Sequence, residues 1–191
     1  MRAFIAISLP EDIKKSIACL QDKLKTASRD ISWVKPENIH LTLKFLGEID
    51  EHALKKAEAA MEDAAGKEND FYIRLSSAGA FPRADFPRVI WVGIDKGDVC
   101  VKRIAQNLED NLSRAGFPKE KKEFSSHITI ARVRSALKGN EMISLLNEYA
   151  DIFHDKETGF TACGITLFKS TLTPKGPIYE TVKTAAFQKT G

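Results

Sequence analysis

The chain has 191 residues, 43% of them hydrophobic and 29% charged, which excludes global disorder and fits one domain or two small lobes sharing a core. Lys and Arg number 29 against 26 Asp and Glu, leaving a net charge of +3. So mild an excess neither requires nor excludes a phosphate-bearing partner, and any recognition of nucleic acid must be local.

Arg2 to Leu9 is apolar and partly β-branched and reads as a buried strand. Glu11, Asp12, Lys14 and Lys15 follow at once, so no signal peptide is expected. Pro10-Glu11-Asp12 opens a helix whose Ile13, Ile17, Leu20 and Leu24 form a core-facing stripe. Trp33 to Asn38 is a turn-rich approach to a strand in which Ile39, Leu41, Leu43 and Phe45 alternate with His40, Thr42 and Lys44. A helix over 51–65 and a strand over 71–78 come next, and Phe81 to Arg88, with Pro82 and Pro87, is the expected crossover between halves. The order then begins again, with a strand over 89–95 and a helix over 98–115 striped by Val101, Ile104, Leu108 and Leu112. A charged loop over 117–126 leads to a strand in which Ile128 and Ile130 alternate with His127 and Thr129. A helix over 140–150, a strand over 160–169 and a hairpin turning at Thr173-Pro174-Lys175-Gly176 complete the chain. No apolar stretch approaches the ~20 residues that cross a bilayer. Cys19, Cys100 and Cys163 lie far apart without a C-x-x-C pair, so neither disulfides nor a cysteine zinc site is expected, and the compartment reads as cytoplasmic.

His40 and His127 are 87 residues apart, and the same shift lays strand 2–9 on 89–96, helix 10–28 on 97–115, strand 39–45 on 126–132 and helix 51–65 on 138–152. The agreement of element order and motif register suggests an internal duplication, with two similar lobes facing each other.

His-x-Thr-x occurs twice, as His40-Leu41-Thr42-Leu43 and His127-Ile128-Thr129-Ile130. The two-residue period puts each histidine and its threonine on one face, about 7 Å apart along the strand. Two such faces converging on a groove would present two imidazoles and two hydroxyls to one small ligand. Histidine titrates near neutrality, so one ring can act as general base while the other acts as general acid. Phosphodiester hydrolysis uses both, with fixed hydroxyls stabilising charge on the non-bridging oxygens. Such a scheme needs no metal or other cofactor. His52 at a helix start and His154 in a loop lack this context and read as solvated residues.

Three segments carry a resemblance. Arg2-Ala3-Phe4-Ile5-Ala6-Ile7-Ser8-Leu9-Pro10, the run Trp33-Val34-Lys35-Pro36-Glu37-Asn38-Ile39-His40-Leu41-Thr42-Leu43-Lys44-Phe45-Leu46-Gly47, and His127-Ile128-Thr129-Ile130-Ala131-Arg132 are similar to the two-histidine phosphoesterases. Within that group the chain resembles the RNA 2′,3′-cyclic phosphodiesterases, once called 2′-5′ RNA ligases. The resemblance implies a bilobal α+β fold, with antiparallel sheets and outer helices around a groove. It also implies hydrolysis of RNA ends bearing a 2′,3′-cyclic phosphate to a 2′-phosphate by a monomeric protein. His40 would then be the proton donor, His127 the proton acceptor, and Thr42, Thr129 and Arg132 would hold the phosphate; spacing alone does not assign acid and base. Lys119, Lys121, Lys122, Arg132, Arg134 and Lys138 flank the second motif and could steer RNA. Trp33, Phe45, Phe81 and Trp91 read first as core or groove wall, with base stacking the alternative. The competing functions are a non-catalytic nucleotide-binding domain, a histidine metal site and 2′-5′ ligation.

Overall fold

A computed structural model describes residues 1–25, 31–84, 86–133 and 158–189, together with residues 144, 146, 148, 149 and 153. In chain order these form β1 (Arg2–Ser8), α1 (Glu11–Leu24), β2 (Ile31–Trp33), a 3-10 turn (Pro36–Asn38), β3 (His40–Glu48), α2 (Glu51–Ala65), β4 (Phe71–Arg83), β5 (Phe86–Ile94), α3 (Asp98–Arg114), β6 (His127–Val133), β7 (Gly159–Ala162), β8 (Gly164–Thr173) and β9 (Gly176–Ala186). The expected helix over 140–150 falls largely outside the described residues, as do His154, Arg134 and Lys138.

The strands form one sheet in the order β7-β4-β5-β6-β3-β1-β8-β9, every neighbouring pair antiparallel, with β2 added to β6. The resemblance implies antiparallel sheets around a groove, and the strands of the two halves are joined edge to edge where Leu41 of β3 pairs with Ile128 of β6. Each motif strand thereby covers the edge that the other would leave unpaired. The segment over 81–88 is not a crossover but the tip of the β4–β5 hairpin. Chain crossing happens elsewhere: β4 follows the first motif strand yet pairs with β5, while β8 follows the second yet pairs with β1.

The expected stripes on α1 and α3 are buried, Ile13, Ile17, Leu20 and Leu24 on one and Val101, Ile104, Leu108 and Leu112 on the other. With Ala57, Met61 and Ala64 of α2 they cover Ile5, Ile7, Leu41, Ile90, Val92, Ile128 and Ile130 on one face of the sheet. α2 starts where the sequence predicts because the Asp50 carboxylate accepts the Ala53 N–H at 2.8 Å, capping one of the free donors of the first turn.

Both motif strands depart from simple alternation at the same place. The β1–β3 register skips Leu43, passing from Ala6↔Thr42 to Ile5↔Lys44. The β5–β6 register skips Ile130, passing from Trp91↔Thr129 to Ile90↔Ala131. Each skip is a β-bulge, which inserts one residue and reverses the faces of everything beyond it. Lys44 is therefore turned into the core and Phe45 out of it, the opposite of what alternation predicts. On β6 the same reversal buries Ala131 and turns Arg132 to the face that carries His127 and Thr129.

The helices hold these bulges from opposite halves of the chain. Gln21 of α1 donates its side-chain amide to the Ile130 carbonyl at 2.9 Å and to that of Val34 at 2.8 Å. Glu109 of α3 accepts the Lys44 ammonium at 2.7 Å.

Candidate active site

The face of the sheet away from the helices carries the histidines. The Leu41↔Ile128 register, carried one residue either way, sets His40 opposite Thr129 and Thr42 opposite His127. Residues so opposed have Cβ atoms about 5 Å apart, and the two histidines, on the diagonal, about 7–8 Å. The two rings thus come from adjacent paired strands.

Each ring is anchored the same way. His40 Nδ1 lies 2.7 Å from the Asn38 carbonyl oxygen and His127 Nδ1 lies 2.8 Å from that of Ser125. A carbonyl only accepts, so Nδ1 carries the proton in both rings and Nε2 is left for chemistry.

Their surroundings differ. The His40 ring is stacked on Phe4 at 4.7 Å, met edge-on by Tyr179 at 5.4 Å and flanked by Phe168 at 6.2 Å. Burial among these rings lowers the His40 pKa to about 4; the bond to Asn38 opposes the fall, and the charge of Lys14 adds to it. Among the described residues the His127 ring has one aromatic neighbour, Phe81, met edge-on at 5.1 Å. Trp91 lies flat over Gly79 and Gly93, where a Cβ would come within 2.4 Å and 3.2 Å of its ring. Around β1 Ala6 takes the place of Trp91, and Ser8 and Thr166 take those of the two glycines, Ser8 donating to Thr166 at 3.3 Å.

His40, Thr42, His127, Thr129 and Arg132 therefore share one face. The charges of Arg132 and Arg2 both reach the Tyr179 hydroxyl, opposing the rise that burial imposes on its pKa. The bulge sets Arg132 on the groove face one step beyond Thr129, the residue in register with His40; regular alternation of β6 would turn it toward the helices. Lys119, Lys121 and Lys122 are exposed on the loop before β6. Trp33 pairs with Ala131 from β2 and packs against the core, outside the site. Among the described residues no three His, Cys, Asp or Glu side chains converge as a metal site, and no helix is long and apolar enough to cross a membrane.

Phe4, Phe168 and Tyr179, the walls of the His40 pocket, are residues that sequence reasoning passes over. One signal was available: Phe81 and Phe168 are separated by the same 87 residues as the histidines, and each flanks one of them. Tyr179 has no aromatic counterpart 87 residues earlier, where Val92 stands, and by strand register the place equivalent to Phe4 is held by Val89.

Known proteins share this architecture. A protein of Methanocaldococcus jannaschii named RNA 2′,3′-cyclic phosphodiesterase is 39% identical over 183 residues, 96% of this chain and 99% of its own. The crystal structure of TT0787 of Thermus thermophilus superimposes with a TM-score of 0.81 at 27% identity, covering 99% of both chains. That of E. coli LigT complexed with 3′-AMP does so with a TM-score of 0.74 at 25% identity, covering 97% of both. The family described as LigT like Phosphoesterase matches residues 7–91 and 98–179, each stretch holding one His-x-Thr motif. With that match spanning most of both halves, the chain belongs to the LigT-like phosphoesterases.

Proposed function

We propose that this protein hydrolyses RNA ends bearing a 2′,3′-cyclic phosphate to 2′-phosphates, with His40 and His127 as a metal-independent acid–base pair. The observation that carries the reading is the matched anchoring of two imidazoles by carbonyls two residues upstream, on paired strands, each beside a threonine. In the reaction His127 Nε2 removes a proton from water as its oxygen attacks phosphorus. The bond from phosphorus to the 3′-oxygen breaks, and His40 supplies the proton that this oxygen takes up. Thr42 and Thr129 donate to the non-bridging oxygens, and Arg132 balances their charge.

Burial keeps His40 neutral in the free site near pH 7, so the donor role requires a shift on binding. An anionic phosphate beside the ring favours the imidazolium and supplies that shift. We further read the chain as one domain built from duplicated halves, acting as a cytoplasmic monomer. The 2′-5′ ligation of RNA is the same displacement with a 5′-hydroxyl in place of water as the nucleophile, and it shares every residue named.

The test is incubation with RNA ending in a 2′,3′-cyclic phosphate in the presence of chelator, followed by location of the phosphate in the product. A 2′-phosphate supports the proposal. A 3′-phosphate overturns the regiochemistry, and activity lost in chelator and restored by zinc overturns metal independence.

A further inference from the structure

Asn38 reaches His40 on one side and the C-terminal hairpin on the other. Its backbone carbonyl accepts His40 Nδ1 at 2.7 Å, and its side-chain amide donates to the Pro177 carbonyl at 2.8 Å. Only the amide nitrogen can face a carbonyl oxygen, so the side chain has one orientation. Asn38 is buried, and its own N–H closes the 3-10 turn on the Lys35 carbonyl at 2.8 Å. One residue thereby holds the turn, the ring and the hairpin together.

The hairpin needs such a hold. β8 pairs with β1 from Thr166 to Lys169, whereas the β8–β9 ladder runs on to Thr173↔Gly176. The stretch from Ser170 to Tyr179 therefore extends past β1, and its Leu172 and Ile178 are 65% and 55% exposed. Yet Tyr179 of this stretch is the edge-on wall of the His40 pocket, 4.9 Å from Phe4 and 5.4 Å from His40. Pro177, which takes the Asn38 bond, stands two residues before it.

The second motif is arranged differently. Ser125 stands 87 residues after Asn38 and gives its carbonyl to His127 in the same way, but it is exposed on the loop before β6. In the reading above, His127 must admit water while His40 must meet one oxygen of the substrate. An open ring on one side and a covered ring on the other fit those roles.

Resting on that phosphodiesterase reading, we propose that Asn38 is the positioning residue of His40, its carbonyl orienting the imidazole and its side-chain amide latching the β8–β9 hairpin so that Tyr179 covers the ring. Without the amide, the Pro177 carbonyl turns to water and the overhang is free to lift Tyr179 away. The titratable groups around the ring are Lys14 of α1, Tyr179 of β9 and His127 of β6, with Arg2 of β1 and Arg132 of β6 acting on Tyr179. A neutral substitution at Asn38 leaves all of them in place.

The test replaces Asn38 with serine, the residue that anchors His127; Asn38→Ser keeps the backbone carbonyl and is too short to reach Pro177. Carbon-bound ring protons of His40 and His127 are followed by NMR against pH in the free protein. The expected result is a His40 titration that moves up toward the ordinary histidine value while that of His127 stays. On a nucleoside 2′,3′-cyclic phosphate, kcat should fall about 10- to 100-fold with KM near the parent value, as for a misaimed catalytic group. Tyr179→Leu should move the His40 titration in the same direction, and the double variant should be no worse than Tyr179→Leu alone, since both changes uncover one ring. An unchanged His40 titration in Asn38→Ser, or losses that multiply in the double variant, overturns the proposal. Asn38→Leu, which keeps the volume and lacks the donor, takes the same measurements if Asn38→Ser does not fold. The titration needs no substrate: if the parent protein leaves cyclic phosphates intact, the phosphodiesterase reading falls, and the His40 titration alone decides for or against the latch.

Discussion

The Lys44 ammonium and the Glu109 carboxylate meet at 2.7 Å inside the protein, with Lys44 4% exposed and Glu109 18% exposed. Lys44 also donates to the Pro118 carbonyl, and the second Glu109 oxygen accepts the Glu120 N–H at 2.8 Å. The bulge after the first motif is thereby tied to the loop that leads into the second. Lys44→Met would leave Glu109 buried without its partner, and urea unfolding should show a loss of about 3–5 kcal/mol. The double variant Lys44→Met/Glu109→Leu should recover most of that loss, since a well-packed apolar pair replaces a buried ion pair at little cost. A double variant as unstable as the single one would assign the loss to packing instead.

Gln21 plays the corresponding part for the second bulge. It is 2% exposed, and its amide serves the Ile130 carbonyl, which also accepts the Val34 N–H at 2.9 Å. Gln21→Leu keeps much of the volume and removes the donor, with an expected cost of about 1–3 kcal/mol for the unsatisfied groups. Because this bulge is what turns Arg132 to the groove, Gln21→Leu should also raise KM for a cyclic-phosphate substrate, in the same direction as Arg132→Gln. A destabilised Gln21→Leu protein with parental KM would separate the bulge from phosphate binding.

Helix stripes and turn signals were legible without coordinates. Ile13, Ile17, Leu20 and Leu24 face the core as their spacing requires, and the hairpin turns at Thr173 to Gly176. The motif positions His40, Thr42, His127 and Thr129 fall on the polar face that alternation predicts, since all four precede the bulges. Beyond the bulges alternation misleads: it buries Phe45 and exposes Lys44, and it sends Arg132 to the wrong face. Bulges leave little local signature here, because Leu43-Lys44 and Ile130-Ala131 are ordinary strand residues held by Glu109 and Gln21 from distant helices. The edge-to-edge joining of the halves was equally hidden, because strand alternation fixes faces and says nothing of which edges meet. The first strands also match at a shift of 85 by their pairing with the motif strands, two residues fewer than the motifs themselves; a two-residue slip keeps every face and so cannot be seen in hydrophobic pattern.

Replacing either histidine tests the paired mechanism directly. His40→Ala and His127→Ala should each lower kcat about 10²- to 10⁴-fold, the usual scale for a general acid or base. Thr42→Val keeps the strand shape and removes one hydroxyl from the phosphate, so it should lower kcat by less while leaving the thermal midpoint near the parent value. Near-parental turnover in either histidine variant would remove that ring from the chemistry.

The buried setting of His40 makes a prediction about acid. In the unfolded chain a histidine titrates near 6.5, whereas in the fold the His40 pKa is lowered to about 4. Between these values the unfolded chain binds a proton that the folded one refuses, so stability falls as pH falls through this window and the loss is complete below about 4. The full effect is on the order of 3 kcal/mol. Denaturant unfolding from pH 7 down to pH 4 should show the decline, and His40→Gln, which cannot titrate, should flatten part of it. Carbon-bound ring protons followed by NMR should report His40 charging well below the ordinary histidine range. In kinetics, the acid limb of kcat/KM, which reports the free enzyme, should lie near that same value. The acid limb of kcat should lie higher, because bound phosphate favours the charged ring. A His40 ring that titrates near 6.5 in the free protein would contradict the burial on which the prediction rests.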